Sequence, residues 1–431
     1  MSGGPGAAEP VPLSRIAVAS FIGTAIEFYD FYIYGTAAAL VLSDAFFPQL
    51  SDTAALLAAL STFAVAFVSR PIGAVLFGHW GDRIGRKSVL IASLLLMGVS
   101  TFAIGLLPGY AAIGVAAPAL LAAFRFLQGI GLGGEWGGAA LLATEHAPPG
   151  KRGLYALFPQ LGAPAGFILA NLLFLLLGAA LSEEDFLAWG WRIPFLASIV
   201  LFLVGLYVRV RIAETPVFER AMREHERAKV PFAGLVARQW RELLLGSGIM
   251  VIQYALFYTA TTYLLSYGTE QAGLSRPTML ATTLVGMVAL ALCVVVSGTL
   301  SDRIGRRRTL LVFTAGAVAW AFAIFPLMDT GSVVGATLAV TVSLAFMGLT
   351  YGPMGAFLPE LFATRYRYSG AAFSYSLGGI LGGAVPPLIA VPLQATALGS
   401  FAVGLFIAAL ALISLLCVVG AAETKDRSLS G

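Results

Sequence analysis

The chain has 431 residues, of which 58% are hydrophobic and only 11% charged, with a formal net charge of +4. Soluble domains carry about 25% charged residues, and no soluble domain could hide this much apolar sequence from water. The composition therefore excludes a water-soluble enzyme. The small positive excess is no basis for nucleic-acid binding, for which no motif is present.

Residues 1–15 are polar, rich in Gly and Pro, and lack the apolar core of a cleaved signal peptide. A helix needs about 20 apolar residues to cross the hydrocarbon core. The apolar runs predict crossings at 16–42, 52–77, 88–107, 112–143, 154–181 and 190–211. A polar connector over 212–242 follows, in which Glu219, Arg220, Arg223, Glu224, Glu226 and Arg227 read as a solvated helix. Six further crossings are predicted at 243–268, 278–299, 309–328, 333–361, 371–396 and 398–421, before a tail over 422–431. The chain is thus read as an all-α polytopic membrane protein of twelve transmembrane helices. Its two six-helix bundles occupy 16–211 and 243–421.

Charge sets the orientation. Of the 26 basic residues, all but Arg70, Arg125, Arg192 and Arg276 lie at the termini or in the segments after even-numbered crossings. The opposite loops hold Asp44, Asp52, Glu183, Glu184, Asp185, Glu270 and Asp329. Positive charge stays on the cytoplasmic side, so both termini are expected in the cytoplasm. Cys293 and Cys417 sit in apolar runs, and His79, His146 and His225 fall in predicted loops, so neither a disulfide framework nor a metal site is expected.

The halves repeat. The loop after the second crossing holds Gly78, Asp82, Arg83, Gly85, Arg86 and Lys87, and the loop after the eighth holds Gly298, Asp302, Arg303, Gly305, Arg306 and Arg307. Asp-Arg-Ile-Gly-Arg matches letter for letter between them. Glu145 ahead of Arg152 and Glu360 ahead of Arg367 form a second matching pair. Parallel repeats of this kind build some transporters. Gly permits a tight turn, and Asp can pair with Arg or cap a neighbouring helix, so these residues are read as cytoplasmic gates.

The Gly-x-x-x-Asp-Arg-x-Gly-Arg-Arg/Lys pattern resembles the signature loop of the major facilitator superfamily. The chain is similar in particular to its metabolite:proton symporter branch, which includes carriers of shikimate, α-ketoglutarate, citrate and proline/betaine. The residues that carry the likeness run from Gly23-Thr-Ala-Ile-Glu27-Phe-Tyr-Asp30 through Arg70-Pro-Ile-Gly and Arg125-Phe-Leu-Gln128 to Glu135-Trp. Trp189-Gly-Trp-Arg192, Glu214-Thr-Pro and Leu358-Pro-Glu360 continue it. The resemblance implies a major-facilitator fold and proton-coupled symport of a small organic metabolite, a carboxylate such as shikimate or a dicarboxylate, by alternating access. It further implies a monomer in the bacterial inner membrane, no enzymatic activity, and no cofactor beyond the proton. A zwitterion such as betaine, or uniport or export of a metabolite, is the alternative. A receptor that binds without flux is the reading outside transport.

A charge at mid-bilayer costs at least ~2.5–3.5 kcal/mol. The candidates are Glu27, Asp30, Arg70, Arg125 and Glu135, all in the first half. Glu27, Asp30 and Tyr34 share one helix face, as do Arg125, Gln128 and Glu135. Either Asp30 or Glu27 is expected to carry the coupling proton, with Arg125 as countercharge and Glu135 in the same network. A substrate anion is expected to meet Arg125. Arg70 either snorkels to the interface or touches substrate, and Arg192 is an anchor or an outer gate. Tyr34, Gln128, Gln160, Asn171, Gln253, Tyr254, Tyr258 and Tyr375 are candidate substrate contacts.

Overall fold

The computed structural model describes residues 13–84, 86–145, 147–148, 150–211, 231–363 and 366–427. Every described element is helical. With no water in hydrocarbon to satisfy a peptide group, a spanning segment must close its own hydrogen bonds, and twelve helices do so. The first bundle comprises α1 (Leu13–Leu40), α2 (Asp52–Ile84), α3 (Arg86–Leu106), α4 (Ala116–Gly133, resuming as Glu135–Glu145), α5 (Arg152–Ala180) and α6 (Ile193–Arg211). The second comprises α7 (Pro231–Tyr258, continuing to Glu270), α8 (Arg276–Ile304), α9 (Arg306–Met328), α10 (Val333–Tyr351, resuming as Met354–Glu360), α11 (Arg367–Gln394) and α12 (Gly399–Gly420).

Two boundaries differ from the hydropathy reading by more than five residues. Helix α2 runs a further two turns to Ile84 because the polar loop residues continue the helix into the interface. Helix α7 starts at Pro231 rather than 243, with a break in helical dihedrals at Gln239 (φ −130°, ψ 32°). Its first turns carry Arg238, Arg241 and Glu242 and so lack the apolar signature of a crossing. Glu219, Arg220, Arg223, Glu224, Glu226 and Arg227 of the connector lie outside the described residues.

The packing repeats as the sequence does. In the first bundle α1 packs on α5, α2 on α4 and α3 on α6; in the second α7 packs on α11, α8 on α10 and α9 on α12. The bundles meet where α5 faces α8 and α2 faces α11. Helices α4 and α10 both break, at Gly134 and at Gly352-Pro353. In contrast, among the described residues only the second bundle carries π-helical turns, at Thr259–Tyr263 in α7 and Ile380–Ala384 in α11.

Small residues make the seams. A methyl group added at Gly166 of α5 would stand 2.5 Å from the Ala25 carbonyl of α1, and one at Gly348 of α10 would stand 2.5 Å from that of Leu290 on α8. At Gly129 of α4 it would overlap the Ala66 carbonyl and Ser69 hydroxyl of α2. Helices associate in lipid through such close backbone contact. Gly129→Ala is therefore expected to force α2 and α4 apart and cost about 1–3 kcal/mol. Gly178→Ala on α5, where a methyl meets nothing within 4 Å, should be neutral or slightly stabilising. Thermal unfolding of the two variants in detergent checks the contrast.

Candidate functional site

The bundles enclose a small central cavity lined by Phe28 and Tyr32 of α1, Ala163 of α5, Met250, Gln253, Tyr254, Phe257 and Tyr258 of α7, Met347 and Tyr351 of α10, and Tyr375 of α11. Its volume is about 20 Å³, room for about one water molecule. Aromatic rings from both bundles close it. Tyr32 stacks on Phe257 with centroids 5.0 Å apart, and Phe67 of α2 meets Tyr258 edge-on at 5.2 Å. The wall carries orphaned polar atoms: among the described residues the Tyr254 hydroxyl and Gln253 Oε1 have no hydrogen-bond partner, while Gln253 Nε2 donates to the Thr350 carbonyl at 3.1 Å.

The five deep charges are all almost completely buried. Asp30 sits on α1 two residues from each of the cavity-lining Phe28 and Tyr32, hence on another side of the helix, and is 0% exposed. Among the described residues neither of its carboxyl oxygens has a hydrogen-bond partner. Its neighbour Thr101 has committed its hydroxyl proton to the Met97 carbonyl at 2.9 Å. Gln128 fixes the Asp30 backbone instead, donating to its carbonyl at 3.0 Å and to Thr101 Oγ1 at 2.8 Å. Arg125 donates to Gln128 Oε1 and lies 3.8 Å from the Tyr34 ring centroid, so Gln128 joins Arg125 to the Asp30 segment. Arg125 makes no ion pair among the described residues. Arg70 is 1% exposed, with its guanidinium carbon 4.3 Å from the centroids of both Phe31 and Phe67. It does not snorkel, because α2 continues 14 residues beyond it to Ile84.

On the face that carries the basic loops, a polar network ties the bundles together. The Asp302 carboxylate pairs with Arg306 at 2.7 Å and accepts from the Gly153 and Leu154 amides, both at 2.9 Å. One acid at the end of α8 thus caps the N-terminus of α5 in the other bundle. Glu360 accepts from Arg306 at 3.4 Å and faces Arg152 at 3.6 Å. The segment after α12 completes the network. Glu423 accepts from the Arg306 amide at 2.9 Å and the Arg307 amide at 3.1 Å, and Thr424 donates to Glu360 at 2.7 Å. Lys425 and Arg427 donate to the carbonyls of Arg303, Glu360 and Leu361. Gly305 adopts φ 107°, a conformation that only Gly tolerates readily, and a methyl there would stand 2.5 Å from Glu423 Oε2. On the opposite face a crevice of about 290 Å³ opens between Leu40, Phe174 and Glu183 of the first bundle and Arg276 and Leu280 of the second.

The Major Facilitator Superfamily profile matches residues 20–387. The chain belongs to the major facilitator superfamily. It is 51% identical over 421 residues to the inner membrane metabolite transport protein YhjE of Escherichia coli, with 96% of each chain covered. It is 37% identical to the shikimate transporter of the same organism, over 88% of this chain and 87% of that one. Among solved structures, the xylose transporter XylE of Escherichia coli, in a partially occluded inward-open conformation, matches with a TM-score of 0.77 over 97% of this chain and 99% of that one. At 17% identity this last likeness shows the fold alone.

The chain is thus a major-facilitator transporter rather than an enzyme. Of the expected substrate contacts, its cavity brings together Gln253, Tyr254, Tyr258 and Tyr375. Arg125, Tyr34, Gln128, Gln160 and Asn171 do not line the cavity. Tyr34 bonds Thr62, Asn171 accepts from Thr36 at 2.9 Å, and Gln160 bridges Trp136 and the Tyr351 carbonyl between the bundles. Glu135 is buried where α4 resumes after Gly134. Arg192 donates to the Gly105 and Leu107 carbonyls and so anchors α6 on α3. Gly85 lies outside the described residues, as do the side chains of Asp82, Arg83, Arg86 and Glu145 and the surroundings of Gly78. Arg367 is buried at the start of α11. Sequence reasoning missed Phe28, Tyr32, Phe257 and Tyr351 in the cavity wall. The four-residue spacing that Phe28 and Tyr32 share with Tyr254 and Tyr258 was the available signal.

Loss of the Asp302 charge should loosen the basic face, because removing one partner of a buried pair costs about 3–5 kcal/mol. With Cys293 and Cys417 replaced by Ser, spin labels at Lys151→Cys and Arg308→Cys report the separation of the bundles. Asp302→Asn is expected to add a longer-distance population in pulsed EPR, and Gly305→Val to do the same.

Proposed function

We propose that this transporter is a proton-coupled symporter of a small organic metabolite, residing in the bacterial inner membrane with its basic face in the cytoplasm. The observation that carries the reading is Asp30: a fully enclosed carboxyl on the helix that also lines the cavity through Phe28 and Tyr32, with no hydrogen-bond partner for either oxygen among the described residues. An ionised carboxylate without partners is very costly in such surroundings, whereas the proton-bearing form is accommodated. The carboxyl can take its proton when the cavity opens to the outside and release it when the cavity opens to the cytoplasm. Arg125, joined to the same segment through Gln128, is the cation placed to balance the charge left behind. Glu27, one turn earlier, is the second acid of this face.

Alternating access supplies the rest. The Asp302, Glu360 and Glu423 contacts hold the basic face shut, and the site must break them to empty inward. Relatives named for metabolite and shikimate transport support the symport of a small organic solute. The aromatic wall also suits the methylated ammonium group of a betaine, which rings attract through their faces, and zwitterions are the second reading.

Reconstituted proteoliposomes test the proton step with labelled shikimate and labelled glycine betaine. Wild-type protein should accumulate one of them when an inward proton gradient is imposed and lose that accumulation with a protonophore. Asp30→Asn should fall to the equilibrium level in gradient-driven uptake while still exchanging solute in counterflow. If Asp30→Asn abolishes counterflow as fully as uphill uptake, Asp30 is not the proton carrier.

A further inference from the structure

The guanidinium of Arg70 is held by ring faces, and two of its three nitrogens lack an acceptor among the described residues. Phe31 and Phe67 sit against it at 4.3 Å each and stabilise its charge. The five N–H donors, however, lie in the guanidinium plane and need acceptors. Among the described residues Arg70 makes no ion pair, and its Nε and Nη2 have no hydrogen-bond acceptor. Glu27 lies within its field. The other groups that the charge feels most are Tyr254, Tyr258 and Tyr375, all three in the cavity wall. On that wall the Tyr254 hydroxyl and Gln253 Oε1 are also without partners. Buried polar groups are ordinarily satisfied, and those that are not call for an explanation. Arg70 does not itself line the cavity: it lies against Phe67, whose ring meets Tyr254 and Tyr258 of the wall at 6.1 and 5.2 Å. The orphans on the two sides of that ring are complementary to one another: two cationic donor atoms, a hydroxyl and an amide acceptor.

We propose that Arg70 is the receptor for a carboxylate on the transported molecule. This deepens the symport reading and rests on it. The planar edge of the guanidinium matches a carboxylate in two parallel hydrogen bonds. The Tyr254 hydroxyl and Gln253 Oε1 then take hydroxyl or N–H groups of the same molecule, and the surrounding rings pack its body. Anion recognition thereby belongs to α2 and not to α4, where Arg125 is already engaged by Gln128 and Tyr34. The two arginines divide the work, one facing the solute and the other the proton site. The substrate class follows: small organic acids or zwitterions that carry a free carboxylate, and not their neutral or esterified counterparts.

The test uses the purified full-length carrier and three acids, shikimate, 2-oxoglutarate and glycine betaine, each beside its methyl ester. Calorimetric titration of wild-type protein should show binding of at least one acid and not of its ester. Arg70→Lys keeps the charge but loses the planar fork, and should weaken that acid about tenfold or more. As a measurement on unaltered protein, modification by phenylglyoxal mapped to Arg70 by mass spectrometry should be slowed by the acid and not by the ester. Esters bound as tightly as acids, unchanged affinity in Arg70→Lys, or no protection of Arg70 would each overturn the assignment while leaving a transporter of neutral solutes standing. If no acid or ester in the panel binds, and none is taken up by proteoliposomes, both the assignment and the symport reading fall.

Discussion

Between helices in lipid there is no water to expel, so what holds them is how closely their backbones approach. Every other feature of this protein hangs from that contact. Gly129 brings α4 onto α2, Gly166 brings α5 onto α1, and their counterparts Gly348 and Gly382 do the same for α10 on α8 and α11 on α7. The same two pairings recur in each bundle, which is why the halves match in architecture. They also position the chemistry. The α1–α5 seam sets the depth of Asp30, and the α2–α4 seam holds Arg70 and Arg125 on facing helices a few side chains apart.

On this symmetrical frame the two bundles are unlike in content. The first carries Glu27, Asp30, Arg70, Arg125 and Glu135 within the membrane. In the second, the buried charges among the described residues, Arg306, Glu360 and Arg367, lie toward the basic face. The second bundle contributes instead the larger share of the aromatic cavity wall and the two π-helical turns. Such turns often mark functional positions in helices, and the one in α7 directly follows the cavity-lining Tyr258. One half thus supplies the ionisable groups and the other a locally irregular backbone beside the cavity.

The crossings were legible because hydropathy over some 20 residues is a strong signal, and the residues of the polar network around Asp302 and Glu360 were legible because they occur twice in register in the sequence. Glycine abundance was visible too, but not which glycine faces which backbone, since that depends on helix rotation. Depth was harder to read. Arg70 looks near the end of its apolar run, yet the helix continues through polar residues to Ile84, so the side chain sits further inside than hydropathy implies. Arg125 was legible as a buried charge but not as one engaged by Gln128 and Tyr34, because partners on other helices leave no local trace. The cavity wall was half legible: the tyrosines of α7 and α11 stood out among apolar neighbours, whereas Phe28, Phe257 and Tyr351 read as ordinary membrane-helix residues.

The contacts of Glu423, Thr424, Lys425 and Arg427 have a consequence for biosynthesis. These residues follow the twelfth crossing, yet they cap α9, brace Glu360 and reach the loop between α8 and α9. Until that segment has left the ribosome, Arg306 and Glu360 lack several of their final partners, although all twelve helices can already be in the bilayer. Insertion and sealing are therefore separate events. A newly inserted chain is a membrane protein whose basic face is not yet fully bonded, and a fusion joined directly behind Arg427 would act on those contacts before it acted on anything else.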